Sequence, residues 1–190
     1  MNDAQSTKTP LPPGTQLRLK DGELLSPLTP YREAVGSLIH LANCTRPDIS
    51  FAVSMLSRFN NVPTTVHWNM VKHVFRYLHG TERVGITFTG EGGLMGMVDA
   101  DWNGNLDDHT SSTGYIFFFA GGPVAWKSQR QSLPAQSSSE AELVVANAVA
   151  NEAVWLRKLL SELGYNFLDP TTIWEDNQSC IRLSKDPEAF

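Results

Sequence analysis

Asp99, Glu142 and Asp176 are the residues of this 190-residue chain whose types and order suit chemistry. Asp99 lies in G-L-M-G-M-V-D-A-D-W, Glu142 in S-S-S-E-A-E-L and Asp176 in T-T-I-W-E-D-N-Q-S. Three carboxylates brought to one point disfavour joint ionisation unless a cation joins them. Magnesium takes oxygen ligands in octahedral geometry, and two such ions about 3.5–4 Å apart stabilise both the attacking and the leaving oxygen of a phosphoryl displacement. The set therefore points to a divalent-metal site for phosphodiester chemistry, provided that rigid elements aim all three acids together. Each acid also has an ordinary reading. Asp99 can be a solvated strand-end acid, Glu142 can complement a helix dipole, and Asp176 can cap the helix that follows it. Asp101 rivals Asp99, Glu140 rivals Glu142, and strand alternation puts Glu175 on the face opposite Asp176.

The elements that must position these acids follow from pattern. From Val84 onward, V-G-I-T-F-T reads as a strand. L-M-G-M-V-D-A reads as a buried strand ending in acid, its Met95, Met97 and Val98 marking an interior. T-G-Y-I-F-F-F-A and P-V-A-W-K-S form a hairpin signalled by Gly121 and Gly122. A long helix opens at Ser137 to Ser139 and stops at Gly164; a strand T-T-I-W-E-D and a last helix from N-Q-S follow. The expectation is a mixed α/β domain over 84–190, with a central sheet and flanking helices. Ahead of it, residues 31–83 carry three helices. The first has Val35, Leu38, Ile39 and Leu41 on one face. The second follows Thr45-Arg46-Pro47, and the third begins at Thr64 or Thr65 and ends at Gly80. Residues 1–30, with Pro10, Pro12, Pro13, Pro27 and Pro30, read as an extended, partly disordered lead-in.

Composition bounds the class. A content of 41% hydrophobic and 18% charged residues is that of a globular chain, and no apolar run approaches the roughly 20 residues of a membrane span. No signal peptide is visible, and Cys44 and Cys180 stand in no metal-ligand spacing, so both read as reduced, buried thiols of an intracellular protein. The net charge of −5 is unevenly spread: residues 31–83 carry +3 and residues 84–190 carry −8. A mildly basic module joined to an acidic one fits a nucleic-acid track beside a metal site. Lys72 and Arg76, with His67, Trp68 and His73, line the third helix as a basic and aromatic face that suits either a nucleic-acid backbone or a solvated surface with Trp68 packed. Trp126, Trp155 and Trp174 read as core aromatics.

The strings V-D-A-D-W, S-S-T-G-Y-I-F, A-W-K-S-Q-R-Q, S-S-S-E-A-E-L, W-L-R-K-L-L-S-E-L-G and E-D-N-Q-S resemble the ribonuclease H domain of copia-type LTR-retrotransposon Pol polyproteins. Upstream, Y-R-E-A-V-G-S-L-I-H-L-A, T-R-P-D-I-S-F-A-V and F-R-Y-L-H-G-T resemble the end of the same polyprotein's reverse transcriptase, its thumb or connection region. The resemblance covers residues 31–186. It implies an RNase H-like fold that hydrolyses the RNA strand of RNA–DNA hybrids with two magnesium ions, in company with other parts of the polyprotein. Asp99, Glu142 and Asp176 would be its catalytic metal ligands, while Asn177, Gln178 and Ser179 match positions near the hybrid's minor groove, where 2′-hydroxyls mark RNA. The family pattern continues with a further strand and a fourth acid, and neither Asp186 nor Glu188 takes that place. The resemblance thus implies a truncated polyprotein piece, with a catalytically inactive retrotransposon-derived fragment as the alternative. A DDE integrase orders its acids Asp, Asp, Glu, unlike the order here.

Overall fold

A computed structural model describes residues 5–101, 107–108, 110–131 and 138–185; for residues 138–141 and 183 it describes the backbone alone. The chain divides into two units, Met1–Ile86 with Asn105–Asp108, and Thr87–Gly104 with His109–Phe190.

In the first unit, α1 (Tyr31–Cys44), α2 (Ser50–Ser57) and α3 (Thr65–Gly80) pack around Tyr31, Val35, Leu38, Ile49, Leu56, Phe59, Val71 and Val74. The second helix opens as a 3₁₀ turn at Pro47–Ile49, where the missing proline N–H costs no helical bond. Thr64 caps α3 through a reciprocal box. Its hydroxyl accepts the His67 amide, and its own N–H donates to His67 Nδ1 at 3.1 Å. That acceptor role puts the imidazole proton on Nε2, which donates to the Arg18 carbonyl at 3.0 Å. Residues 5–30 run through turns and bends and belong to this unit, with a bridge between Leu24 and Thr64. Leu17 is buried, and the Leu25 and Thr65 amides exchange bonds with the Pro63 and Glu23 carbonyls. Buried Arg46 grips Asp48 with two nitrogens and donates to Thr81 Oγ1 at 2.6 Å, joining the end of α1 to the end of α3.

The second unit holds a four-stranded sheet of order β3-β2-β1-β4, made of β1 (Met95–Asp101), β2 (Ser112–Phe119), β3 (Gly122–Arg130) and β4 (Thr172–Trp174). β1, β2 and β3 are antiparallel neighbours, and β4 adds parallel to β1 with Met97 opposite Trp174. The mixed α/β architecture is RNase H-like. The hairpin turn is Ala120-Gly121, one residue earlier than the Gly-Gly pair suggests. Both turn residues take positive φ, 52° and 79°, as the right-handed strand twist of a two-residue turn demands. Helix α4 (Ser138–Glu162) lays Val145, Val149, Ala153 and Leu156 on Val98 and Phe117. It ends in a Schellman motif at Gly164 (φ 94°), with the Tyr165 and Gly164 amides bonded to the Leu160 and Ser161 carbonyls. Arg157 then ties the link to β4, donating to the Phe167 and Asp169 carbonyls and to Thr171 Oγ1. The last helix, α5, spans Gln178–Leu183.

Four sequence-based expectations change here. Residues 84–89 form no strand, although the Thr89 amide bonds to the Ala120 carbonyl beside the hairpin turn. Trp155 and Trp174 are exposed rather than core. Cys180 is buried but Cys44 is exposed. Met97 and Asp99 are exposed, and the buried residues of β1 are Gly96 and Val98. Among the described residues no helix is long and apolar enough to cross a membrane.

Candidate metal centre

Glu142 continues the stripe that α4 turns to the sheet. It precedes Val145 by three residues and Val149 by seven, spacings that keep a side chain on one helical face. The residue is consequently 5% exposed. Asp99 reaches the same place from β1, two residues before that strand ends, and Asp176 from the link that follows β4, the strand parallel to β1. One carboxylate oxygen of each lies within 4.8 Å of the others; Glu142 is buried, and Asp99 and Asp176 are exposed. The cluster thus has a dry floor and an open mouth.

The electrostatics follow from that shape. Burial raises the Glu142 carboxyl to about 7, and the charges of Glu175, Asp99 and Asp176 push the same way, against a hydrogen bond from the Ala100 amide. Glu142 Oε2 is buried without a hydrogen-bond partner. An orphaned buried carboxylate oxygen is costly, and its natural complement here is a cation that also takes the two exposed acids. An all-oxygen set of three carboxylates suits a hard divalent ion such as Mg²⁺.

Asp176 does not cap α5. Asn177 does, its Oδ1 accepting the Ser179 and Cys180 amides at 3.0 and 3.1 Å. The Asp176 carboxylate is thereby left to the cluster. Of the rivals, Asp101 is the last residue of β1 and lies outside the group, while the Glu140 side chain, Asp186 and Glu188 fall outside what the structure describes.

A Pol polyprotein from transposon TNT 1-94 of Nicotiana tabacum is 43% identical over 157 residues, 82% of this chain and 12% of its own length. One from transposon RE2 of Arabidopsis thaliana is 40% identical over 98% of this chain and 13% of its own length. The chain belongs to the copia-type transposon Pol polyprotein family. This Pol segment spans about an eighth of the length of those two relatives. It is also similar to secreted RxLR effector protein 161 of Plasmopara viticola, 43% identical over 67% of this chain and 91% of that protein. No protein-family profile matches the Pol segment, and no solved structure matches it.

Sequence reasoning missed Glu175. It lies one residue past the end of β4, where strand alternation no longer governs direction. Its charge is the largest of those acting on Glu142, and it also raises the buried Cys180 thiol, after burial itself. Its own carboxyl is raised, by burial first. The signal available was its place beside Asp176, and alternation misdirected it. The remaining residues with a nucleic-acid reading stand in two places. Gln178 and Ser179 are exposed at the start of α5, beside Asp176 and the capping Asn177; Lys72 and Arg76 are half-buried, one turn apart on α3 of the other unit.

Proposed function

We propose that this Pol segment carries an RNase H-type nuclease site, which hydrolyses the RNA strand of RNA–DNA hybrids during reverse transcription, behind the end of a reverse transcriptase. The observation that carries the reading is the meeting of Asp99, Glu142 and Asp176 within 4.8 Å, from β1, α4 and the link after β4 of an RNase H-like fold. Asp99 and Asp176 would hold a magnesium pair at the open mouth, with Glu142 beneath. Bound magnesium supplies positive charge that makes water nucleophilic near neutral pH and stabilises the leaving 3′ oxygen.

The chain's own residues do the rest. Asp99 and Asp176 face solvent, where a phosphodiester can approach. The Glu142 carboxyl, raised to about 7, is only partly ionised near neutral pH, and it must be ionised to accept a cation. Gln178 and Ser179 offer donors and acceptors beside Asp176 for a 2′-hydroxyl, which is what separates RNA from DNA. Asn177 contributes chiefly by its cap. Lys72 and Arg76 serve phosphates, a sequence-independent contact.

The test is magnesium-dependent cleavage of a labelled RNA–DNA hybrid by the chain and by Asp99→Asn. Cleavage that the substitution abolishes is expected. Cleavage by the chain no greater than by Asp99→Asn would leave the inactive retrotransposon-derived fragment as the correct reading.

A further inference from the structure

The ladder that holds β4 ends at Trp174, paired with Met97, and α5 begins at Gln178. Asp176 therefore sits in a three-residue link outside both elements, yet its carboxylate must hold one position for the cluster to work. Two side-chain acceptors fix the link. Glu175 Oε1 accepts the Asn177 amide at 2.8 Å. Asn177 Oδ1 in turn caps α5. The peptide unit that follows the Asp176 Cα is thus pinned by Glu175, and the next residue is held by its own cap on α5. The arrangement is held in low dielectric: Glu175 is half-buried, and its Oε2 is buried without a partner. Keeping a fourth carboxylate beside Glu142, whose ionisation it opposes, has a physical reason if that carboxylate does positioning work.

We propose that Glu175 is a positioning residue for the Asp176 carboxylate, acting through its hydrogen bond to the Asn177 amide, on the peptide unit that follows Asp176. This rests on the reading of Asp99, Glu142 and Asp176 as a cation site. Glu175 itself is outside the group that shares a 4.8 Å neighbourhood, so it supports a ligand rather than serving as one. Residues that orient metal ligands in this way cost roughly 10- to 100-fold in metal affinity when removed.

The experiment is Mn²⁺ binding to the full chain, read by electron paramagnetic resonance of the free ion, for wild type, Asp99→Asn, Glu175→Ala and Glu175→Gln. Far-UV circular dichroism without metal checks folding. Glu175→Leu fills the same space without an acceptor, and replaces the alanine variant should that fail to fold. Glu175→Ala or Glu175→Leu is expected to weaken binding roughly 10- to 100-fold. Glu175→Gln keeps an acceptor oxygen and is expected to retain most of the affinity, a rescue that a contribution through charge would not produce. Wild-type affinity in the alanine or leucine variant overturns the proposal, as does a glutamine variant as weak as the alanine one. Wild type that binds Mn²⁺ no better than Asp99→Asn overturns the cation site itself, and the positioning role with it.

Discussion

Replacing Glu142 by glutamine should stabilise the metal-free second unit while removing its response to magnesium. The Glu142 carboxyl stands at about 7 in the folded chain against an ordinary 4.5. Below pH 4.5 the group is protonated in both folded and unfolded states and contributes nothing. Between 4.5 and 7 the unfolded chain releases its proton first, so folding loses stability as pH rises. Above 7 the carboxylate is ionised in both states and the whole penalty is present. At about 1.4 kcal/mol per pH unit, the span from 4.5 to 7 corresponds to about 3 kcal/mol. Glutamine keeps an oxygen for the Ala100 amide, and its NH₂ can donate to the neighbouring acids, which turns repulsion into attraction. The measurement is hydrogen exchange at the α4 amides of Val145 to Leu156 with a chelator present, which reports this unit separately from the first. Glu142→Gln should exceed wild type by up to about 3 kcal/mol at pH 8, with the gain vanishing near pH 4.5. Added Mg²⁺ should narrow the difference at pH 8 by stabilising wild type alone, as any ligand of the native state does. A glutamine variant less stable than wild type at pH 8, or a gain independent of pH, would refute the reasoning.

Two further predictions concern packing and the first unit. Burial lowers the pKa of His67, opposed by the Arg18 carbonyl and by the charges of Asp21 and Asp107. Its neutral form is what the Thr64 box requires, so this contribution is present above the ordinary histidine range and is lost as pH falls below 6.5. Nuclear magnetic resonance should place the His67 titration below the ordinary 6.5, and the first unit should weaken in acid, while the Glu142 contribution strengthens the second over the same range. Gly96→Ala would put a Cβ 2.8 Å from Cε1 of fully buried Phe117, and overpacking of this kind costs about 1–3 kcal/mol in urea unfolding.

Much of this protein is determined locally and was legible in its sequence. The Thr64 cap, the Pro47 start and the Gly164 stop act through their own backbone neighbours, so residue type is enough to place them. The same holds for the order of Asp99 on a strand, Glu142 on a helix and Asp176 after a second strand, although that strand stops at Trp174 and not at Asp176, and for the stripe that carries Glu142 toward the sheet. Period alone could not decide what depends on which surfaces meet. Residues 84–89 have strand composition but no ladder, because a strand exists only when a partner takes its hydrogen bonds. Trp155 and Trp174 are apolar enough for a core, yet only one face of α4 and one face of the sheet pack together. Glu175 turned toward Glu142 because its ladder had already ended. The charge state of Glu142 is likewise a property of the assembled fold, since burial and three neighbouring carboxylates come together only when β1, α4 and the link after β4 converge. The sequence by itself determined which acids and which elements; only tertiary structure decided that they share one dry-floored site, because desolvation and short-range charge act across space and not along the chain.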